Sequence, residues 1–192
     1  MTKSNPLFHP LLLALAAATL LPWLMGLAGL TTTSATEVVI FALACMGLNL
    51  LAGYTGLVSF GHGAWFGLGA YIAALVALAL PGDHLLVPLL VAVGLTAILA
   101  TGFGWLMLRR RGVYFSLMTL ALSALGFTIA LRWTSVTGGE NGLGGIERPV
   151  LLGIDLNDNM NFYMLVAAIA LLAAGLMWRF VNSPLGHVLE AI

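Results

Sequence analysis

The chain has 192 residues, of which 61% are hydrophobic and 7% are charged, and its mean hydropathy is +1.06. Soluble domains carry roughly a quarter charged residues, so this composition excludes an ordinary soluble domain and predicts an integral membrane protein in contact with membrane lipid. Seven basic and seven acidic residues balance to zero net charge, which gives no electrostatic footprint for a nucleic-acid partner.

Apolar runs separated by polar breaks give the predicted transmembrane helices, since a spanning helix needs about 20 apolar residues. The runs cover residues 10–30, 38–52, 57–80, 85–108, 113–133 and 162–181. The predicted fold class is therefore all-α, a polytopic integral membrane protein with about six transmembrane helices. Lys3 and the first run also resemble a signal peptide, but the length of that run and the spans behind it favour a retained helix.

A glycine-rich segment at residues 47–69, GLNLLAGYTGLVSFGHGAWFGLG, contains seven glycines. Glycine lets a helix break, unwind or approach a neighbour closely, and a membrane tolerates non-helical backbone only where protein or water covers it. We predict a broken segment with a pathway beside it, or a re-entrant segment over 57–63. Tight helix packing without a pathway is the alternative, above all for Gly67 and Gly69.

The basic residues predict the orientation, because Lys and Arg next to short loops are retained in the cytoplasm. With both termini cytoplasmic, five of the seven lie inside, namely Lys3, the arginines at 109–111 and Arg179, while Arg132 and Arg148 lie outside. Six of the seven acidic residues then also lie outside, which is weak additional support.

Three motifs resemble one family of transporters. The segment from Gly47 to Tyr71, the run RGVYFSLMTL at 111–120 and the loop TGGENGL at 137–143 are together similar to permease subunits of ABC importers for branched-chain amino acids, and of their relatives for urea and short amides. The resemblance covers roughly residues 38–192, and the second motif is more similar to the M-type than to the H-type permease.

The resemblance implies a transport subunit and not an enzyme, in a bacterial-type inner (plasma) membrane. Its implied partners are a sister permease subunit, two ATP-binding subunits and an external, periplasmic-type substrate-binding protein. We expect no cofactor on this chain; it lacks the G-x-x-x-x-G-K-[ST] phosphate-binding motif, so ATP hydrolysis belongs to other subunits. No Cys, His, Asp and Glu cluster has the spacing of a metal site.

The resemblance also implies one transmembrane permease domain over 1–192, the N-terminal part of a longer permease. The run NSPLGHVLEAI at 182–192 is similar to the start of a cytoplasmic coupling segment, which in relatives continues into further transmembrane helices. The sequence therefore predicts a fragment or a truncated gene, and its autonomous transport is in doubt. A frayed amphipathic tail is the other interpretation of this run.

Candidate site residues fall into three groups. The translocation pathway candidates are Asn49, Gly53, Tyr54, Thr55, Gly56, Ser59, Gly61, His62 and Gly63. The external-loop residues are Thr137, Gly138, Gly139, Asn141 and Gly142. The ATPase-coupling residues are Pro184, Leu185, Gly186, Val188, Leu189 and Glu190.

The pathway candidates fit an amino acid because its carboxylate and ammonium groups need polar partners in transit. Backbone amides at a helix break would meet the carboxylate, and Asn49, Thr55 and Ser59 add neutral polar groups. His62 senses substrate or, as the better-supported interpretation, is a hydrogen-bonded structural residue. Two other functions stay open: an unrelated secondary transporter or channel, and an intramembrane serine hydrolase with Ser59 as nucleophile and His62 as base.

Overall fold

The computed structural model describes residues 10–80, 82, 84–109, 112–146, 148–151 and 153–190. Its helices are α1 (Pro10–Leu27), α2 (Thr32–Asn49), α3 (His62–Ala79), α4 (Leu86–Met107), α5 (Val113–Arg132), α6 (Thr134–Thr137), α7 (Asn159–Val181) and α8 (Pro184–Glu190). A π-helical turn (Leu50–Tyr54) extends α2, a 3-10 turn (Gly139–Asn141) follows α6, and strands β1 (Val150–Leu151) and β2 (Ile154–Asp155) pair antiparallel. Of the residues used above, those outside the described residues are Lys3, Arg110, Arg111, the Glu190 side chain and Ile192. Two of the acidic residues counted for the orientation, Asp83 and Glu147, also lie outside them.

Helices long and apolar enough to cross a membrane dominate the structure. Within the described residues these are α2 with its π-helical turn, α3, α4, α5 and α7, and the apolar helix α1 is somewhat shorter. Large apolar side chains such as Trp105 (68% exposed) and Leu172 (70% exposed) lie on the outside, as expected where lipid is the solvent. The predicted all-α, multi-pass membrane fold is confirmed.

The second transmembrane helix begins earlier than the polar residues at 31–37 predict, because α2 already starts at Thr32. The Thr31 hydroxyl accepts a hydrogen bond from the Ser34 amide at 3.4 Å, which is the usual N-cap arrangement. Inside the helix, the Thr36 hydroxyl donates to the Thr32 carbonyl at 3.1 Å. Short hydroxyl side chains thus provide hydrogen-bond partners for backbone groups in the first turns of α2. The helix therefore begins before Val38, where the hydropathy of the sequence places its start.

The sequence predicts an interruption at residues 53–56, between the second and third apolar runs. In the structure the interruption lies further along the chain. Gly53 and Tyr54 belong to the π-helical turn, and the Thr55 hydroxyl donates to the Leu51 carbonyl at 2.5 Å. Regular structure ends at Gly56, whose φ of +65° is in the left-handed region where glycine carries no steric penalty. Residues 56–61 are non-helical, and α3 begins at His62.

The described chain contains two compact units, one formed by residues up to Leu50 and from Leu156 onward, the other by Leu51–Asp155. In the first unit, α1, α2 and α7 pack together around Ala35, Tyr163 and Ala167. The Tyr163 hydroxyl donates to the Ala18 carbonyl of α1. Small side chains and interhelical hydrogen bonds are the usual means of helix association in lipid, where the hydrophobic effect is weak.

In the second unit, α3 packs most extensively on α4 and less so on α5. The rings of Trp65 and Phe103 meet edge to face, with centroids 5.9 Å apart. Elsewhere in the interface between α3 and α4, a Cβ built on Gly69 of α3 would lie 3.6 Å from the Thr96 hydroxyl oxygen of α4. This unit contains the glycine-rich break, and it includes all or most of two of the three loops that the sequence predicts to be external, those that follow α3 and α5.

Candidate functional site

The non-helical segment 56–61 is bound to α5 by two side-chain hydrogen bonds, which we call the hydroxyl clasp. The Ser116 hydroxyl donates to the Val58 carbonyl at 2.7 Å. The Phe60 amide donates to the Thr119 hydroxyl at 3.1 Å, and that hydroxyl donates in turn to the Ser116 carbonyl at 2.8 Å. The clasp supplies partners for two backbone groups of the segment, the Val58 carbonyl and the Phe60 amide, and irregular backbone at membrane depth needs such partners.

Close backbone contact accompanies the clasp at Gly61. A Cβ built on Gly61 would overlap the Thr119 carbonyl oxygen and lie 3.0 Å from the carbonyl carbon. Because the obstacle is backbone and not the end of a flexible side chain, glycine is required for the segment to lie this close to α5. Ser59 is buried beside it and its hydroxyl accepts a hydrogen bond from the Gly61 amide at 3.3 Å.

His62 is the first residue of α3 and is half-buried. Within the described part of the chain no hydrogen bond joins His62 to Ser59, whose recorded partner is the Gly61 amide. A serine nucleophile needs a base within hydrogen-bonding reach, so the arrangement gives no support to the hydrolase interpretation. The hydrogen-bonded structural role of His62 stays a prediction.

A groove of about 480 Å³ runs between α3 and α5, from the start of α3 to the loop after α5. We call it the α3–α5 groove. Its main lining residues are Gly63, Ala64, Gly67, Tyr71, Ile72 and Leu75 on α3, Ser123, Gly126, Phe127 and Ala130 on α5, and Trp133 and Thr137 beyond it. Small residues on both helices open this space, and aliphatic and aromatic groups form its walls. The polar side-chain groups of its lining residues are the hydroxyls of Tyr71, Ser123 and Thr137 and the indole N–H of Trp133.

The Thr-Gly-Gly loop closes one end of this groove. The Thr137 hydroxyl lies 2.6 Å from the Ala130 carbonyl and 2.8 Å from the Trp133 carbonyl, and accepts from the Gly139 amide at 3.3 Å. Gly138 and Gly139 both have positive φ, and a Cβ on Gly138 would lie 2.7 Å from the Gly142 carbonyl carbon. The Thr-Gly-Gly loop therefore ends α5 in a tight turn. Asn141, at its tip, is exposed.

The remaining pathway candidates lie at the approach to the break. Asn49 is an exposed residue at the end of α2, in the first unit. Gly53, Tyr54 and Thr55 precede the break, and Gly56 begins it. Gly63 is the pathway candidate that lines the α3–α5 groove. Four candidates therefore precede the break in the chain, Gly56, Ser59 and Gly61 form it, and Gly63 lines the groove.

Sequence reasoning missed Ser116 and Thr119, although both lie in the second motif. They are three residues apart on an apolar helix, so they share a face, and a hydroxyl within a membrane helix needs an acceptor. The spacing of Ser116 and Thr119 is the feature of the sequence that could have identified them as site residues. It does not identify the partner segment, because the hydrogen bonds join residues nearly sixty positions apart.

The proposed coupling residues form α8 in the first unit. The Ser183 hydroxyl donates to the Phe180 carbonyl at 2.6 Å and accepts from the Gly186 amide at 3.3 Å, which holds the turn before Pro184. Gly186 is buried, and a Cβ there would lie 2.7 Å from the Phe180 carbonyl oxygen. Leu185 and Val188 are 66% and 57% exposed, whereas Leu189 is partly buried.

Comparison with known proteins matches residues 30–192 to the family described as "Branched-chain amino acid transport system / permease component". The high-affinity branched-chain amino acid transport system permease proteins LivM of Escherichia coli (strain K12) and Salmonella typhimurium are 28% and 29% identical to this chain over 218 aligned positions. Each alignment covers 100% of this chain and 49% of the relative, so the chain spans about half the length of these relatives. No solved structure matches.

Replacing Gly61 by Ala tests the close contact between the break and α5. Gly61→Ala should lower the free energy of unfolding by about 1–3 kcal/mol, because the added methyl overlaps backbone of Thr119. Gly63→Ala is the control, since nothing lies within 4 Å of a Cβ there, and it should leave stability unchanged or raise it by up to about 1 kcal/mol. Chemical unfolding in mixed micelles measures both. Equal stability of the two variants would contradict the contact.

Proposed function

We propose, because this chain belongs to the family of branched-chain amino acid transport system permease components, that it forms part of the substrate pathway of an ATP-driven importer of branched-chain amino acids. The chain is a multi-pass membrane transport subunit and its relatives are permeases, not enzymes. The relatives are high-affinity branched-chain amino acid transport system permease proteins, which supports the substrate class. The α3–α5 groove is the observation that carries the proposed pathway.

The chemistry of the groove supports an aliphatic amino acid as its occupant. Ile72, Leu75 and Phe127 offer an apolar wall to a branched side chain. At the Gly63 end, the first turn of α3 has no side-chain cap, and a helix N-terminus presents amide groups and a positive dipole end to a carboxylate. A volume of about 480 Å³ is within the roughly 300–1,000 Å³ of small-molecule sites.

The hydroxyl clasp gives this pathway a fixed wall. It holds the break against α5 directly before α3 begins, so the start of α3 and the face of α5 are positioned together. In the proposal, the pathway candidates Gly56, Ser59 and Gly61 shape the break, and Gly63 contacts substrate. Gly53, Tyr54 and Thr55 precede the break in the chain, His62 follows it as the first residue of α3, and Asn49 ends α2.

The proposed assembly contains a sister permease, two ATP-binding subunits and an external substrate-binding protein. We place it in the inner membrane with both termini of this chain cytoplasmic, because that orientation retains most Lys and Arg inside. The loop with Thr137, Gly138, Gly139, Asn141 and Gly142 is then external, where the substrate-binding protein docks. In this scheme α8 lies on the cytoplasmic side and contacts an ATP-binding subunit through the exposed Leu185 and Val188.

Filling the groove should block transport. In the assembled transporter, Gly67→Leu should reduce the maximal leucine uptake rate at least tenfold, because the new side chain enters open space along the groove. Gly102→Leu is the control: its Cβ also meets nothing within 4 Å, but Gly102 lies on α4 outside the groove. Uptake of labelled leucine, isoleucine, valine and urea is measured.

Normal leucine uptake by Gly67→Leu would remove the groove from the pathway. A wild-type assembly that takes up urea and none of the three amino acids would contradict the substrate class.

Cysteine labelling tests the orientation and the role of α8 together. In a Cys45→Ala background, Val188→Cys should react with a membrane-impermeant thiol reagent only in inside-out vesicles, and bound ATP-binding subunits should reduce its labelling at least fivefold. Asn141→Cys is the control for the opposite face and should react only from outside. Labelling of Val188→Cys from outside would reverse the orientation, and undiminished labelling in the complex would exclude docking through this face.

A further inference from the structure

One hydroxyl group of α5 differs from the others in its hydrogen bonding. Four serine and threonine residues occur in α5, and the hydroxyls of Ser116, Thr119 and Thr128 each donate to a backbone carbonyl, at 2.7 Å, 2.8 Å and 2.8 Å. The Ser123 hydroxyl makes no hydrogen bond to any described residue, and Ser123 lines the α3–α5 groove. Backbone carbonyls are the usual acceptors for hydroxyls in a membrane helix, so this hydroxyl is available to a ligand in the groove.

Ser123 lies level with the start of α3. Thr119, four residues before it, and Gly126, three residues after it, share its face of α5. The Thr119 hydroxyl accepts a hydrogen bond from the amide of Phe60 in the break, and a Cβ on Gly126 would lie 3.9 Å from the Ala64 Cβ in the first turn of α3. Because Ser123 is between these two contacts, it faces the junction at which the break ends and α3 begins.

The start of α3 presents further hydrogen-bond donors at this level of the groove. The Ala64 amide donates to the Gly61 carbonyl at 3.0 Å, but the amides of His62 and Gly63 have no acceptor among the described residues, and no side chain caps the helix. Gly63 lines the groove, and the described lining residues include no charged side chain. An anionic group at this level is therefore bound by neutral donors, the Ser123 hydroxyl among them.

We propose that the Ser123 hydroxyl binds the carboxylate of the transported amino acid and makes the groove select amino acids over aliphatic amines. The inference rests on the proposed function, because it takes the α3–α5 groove as the pathway and a branched-chain amino acid as the ligand. The hydroxyl donates to one carboxylate oxygen, and amides at the start of α3 donate to the other. Neutral donors bind a carboxylate less tightly than an arginine does, which suits a site that must also release its ligand.

Ligand binding to the assembled transporter tests this role, with the external substrate-binding protein left out so that the measured affinity is that of the membrane subunits. Leucine and isoamylamine, which is leucine without its carboxylate, are titrated by calorimetry onto the complex in phosphatidylcholine nanodiscs. Ser123→Ala should weaken leucine binding at least tenfold, because it removes a hydrogen bond to a charged group, and should change amine binding by less than about twofold. Ser123→Thr retains the hydroxyl and should restore most of the leucine affinity.

Thr128→Val is the matched control, since it also removes one hydroxyl from α5, but the Thr128 hydroxyl donates to the Ala124 carbonyl and Thr128 does not line the groove. It should bind leucine as the wild type does. Equal leucine affinity of Ser123→Ala and the wild type would overturn the assignment. An equal loss of affinity for leucine and for the amine would also overturn it, because a structural role of Ser123 does not depend on the carboxylate.

Gly67→Leu, measured in the same way, separates this inference from the proposed function. Weaker leucine binding by Gly67→Leu but not by Ser123→Ala would overturn the Ser123 assignment and leave the groove as the pathway. Weaker leucine binding by Ser123→Ala but not by Gly67→Leu would support the Ser123 contact and contradict a pathway along the groove. A wild-type complex that binds no leucine would contradict both.

Discussion

Two hydroxyl groups on α5 bind the irregular backbone of residues 56–61, which connects the π-helical turn after α2 to α3. Residues 56–61 are non-helical, and a bilayer offers no water to replace the helical hydrogen bonds that they lack. Ser116 and Thr119 supply a donor and an acceptor at 2.7 Å and 3.1 Å. The absence of a side chain at Gly61 then lets the segment contact the backbone of α5. The start of α3, and with it the shape of the α3–α5 groove, depends on this attachment.

The three motifs that carry the family resemblance have a common structural meaning in the second unit. The first motif forms the break and the start of α3, and the second provides the hydroxyl clasp. The third motif ends α5 through Thr137 and closes the groove. Glycine has three separate uses here: a left-handed residue at Gly56, close backbone contact at Gly61, and open space at Gly67. Gly61 is therefore a packing position, whereas a Cβ at Gly67 would meet nothing within 4 Å.

The sequence predicted the helices well because a bilayer leaves an apolar segment little alternative to helix. It misplaced the start of α2, since the polar residues from Thr31 to Thr36 satisfy the backbone themselves and extend the helix. It also expected the chain to break at Gly53, where a π-helical turn continues the helix instead. Both errors come from treating polarity or glycine as a break without counting backbone hydrogen bonds.

The site could be predicted only in part for a related reason. Motif spacing identified Thr137, whose hydrogen bonds are local. It also identified Gly61 and Gly63, because a glycine is visible in the sequence wherever the structure needs a residue without a side chain. The clasp depends on contacts between residues nearly sixty positions apart, and no periodicity along the chain records them. Hydroxyls three residues apart on an apolar helix indicated that a partner exists, but not which backbone it binds.

Hydrogen exchange at the Phe60 amide tests the hydroxyl clasp most directly. Thr119→Val has nearly the same shape but removes the acceptor, and exchange of the Phe60 amide should accelerate at least tenfold, which corresponds to about 1.4 kcal/mol. Thr128→Val is the control, because the Thr128 hydroxyl donates to Ala124 within its own helix, and it should leave that amide unchanged. Unaltered exchange at Phe60 in Thr119→Val would contradict the clasp and the groove geometry that rests on it.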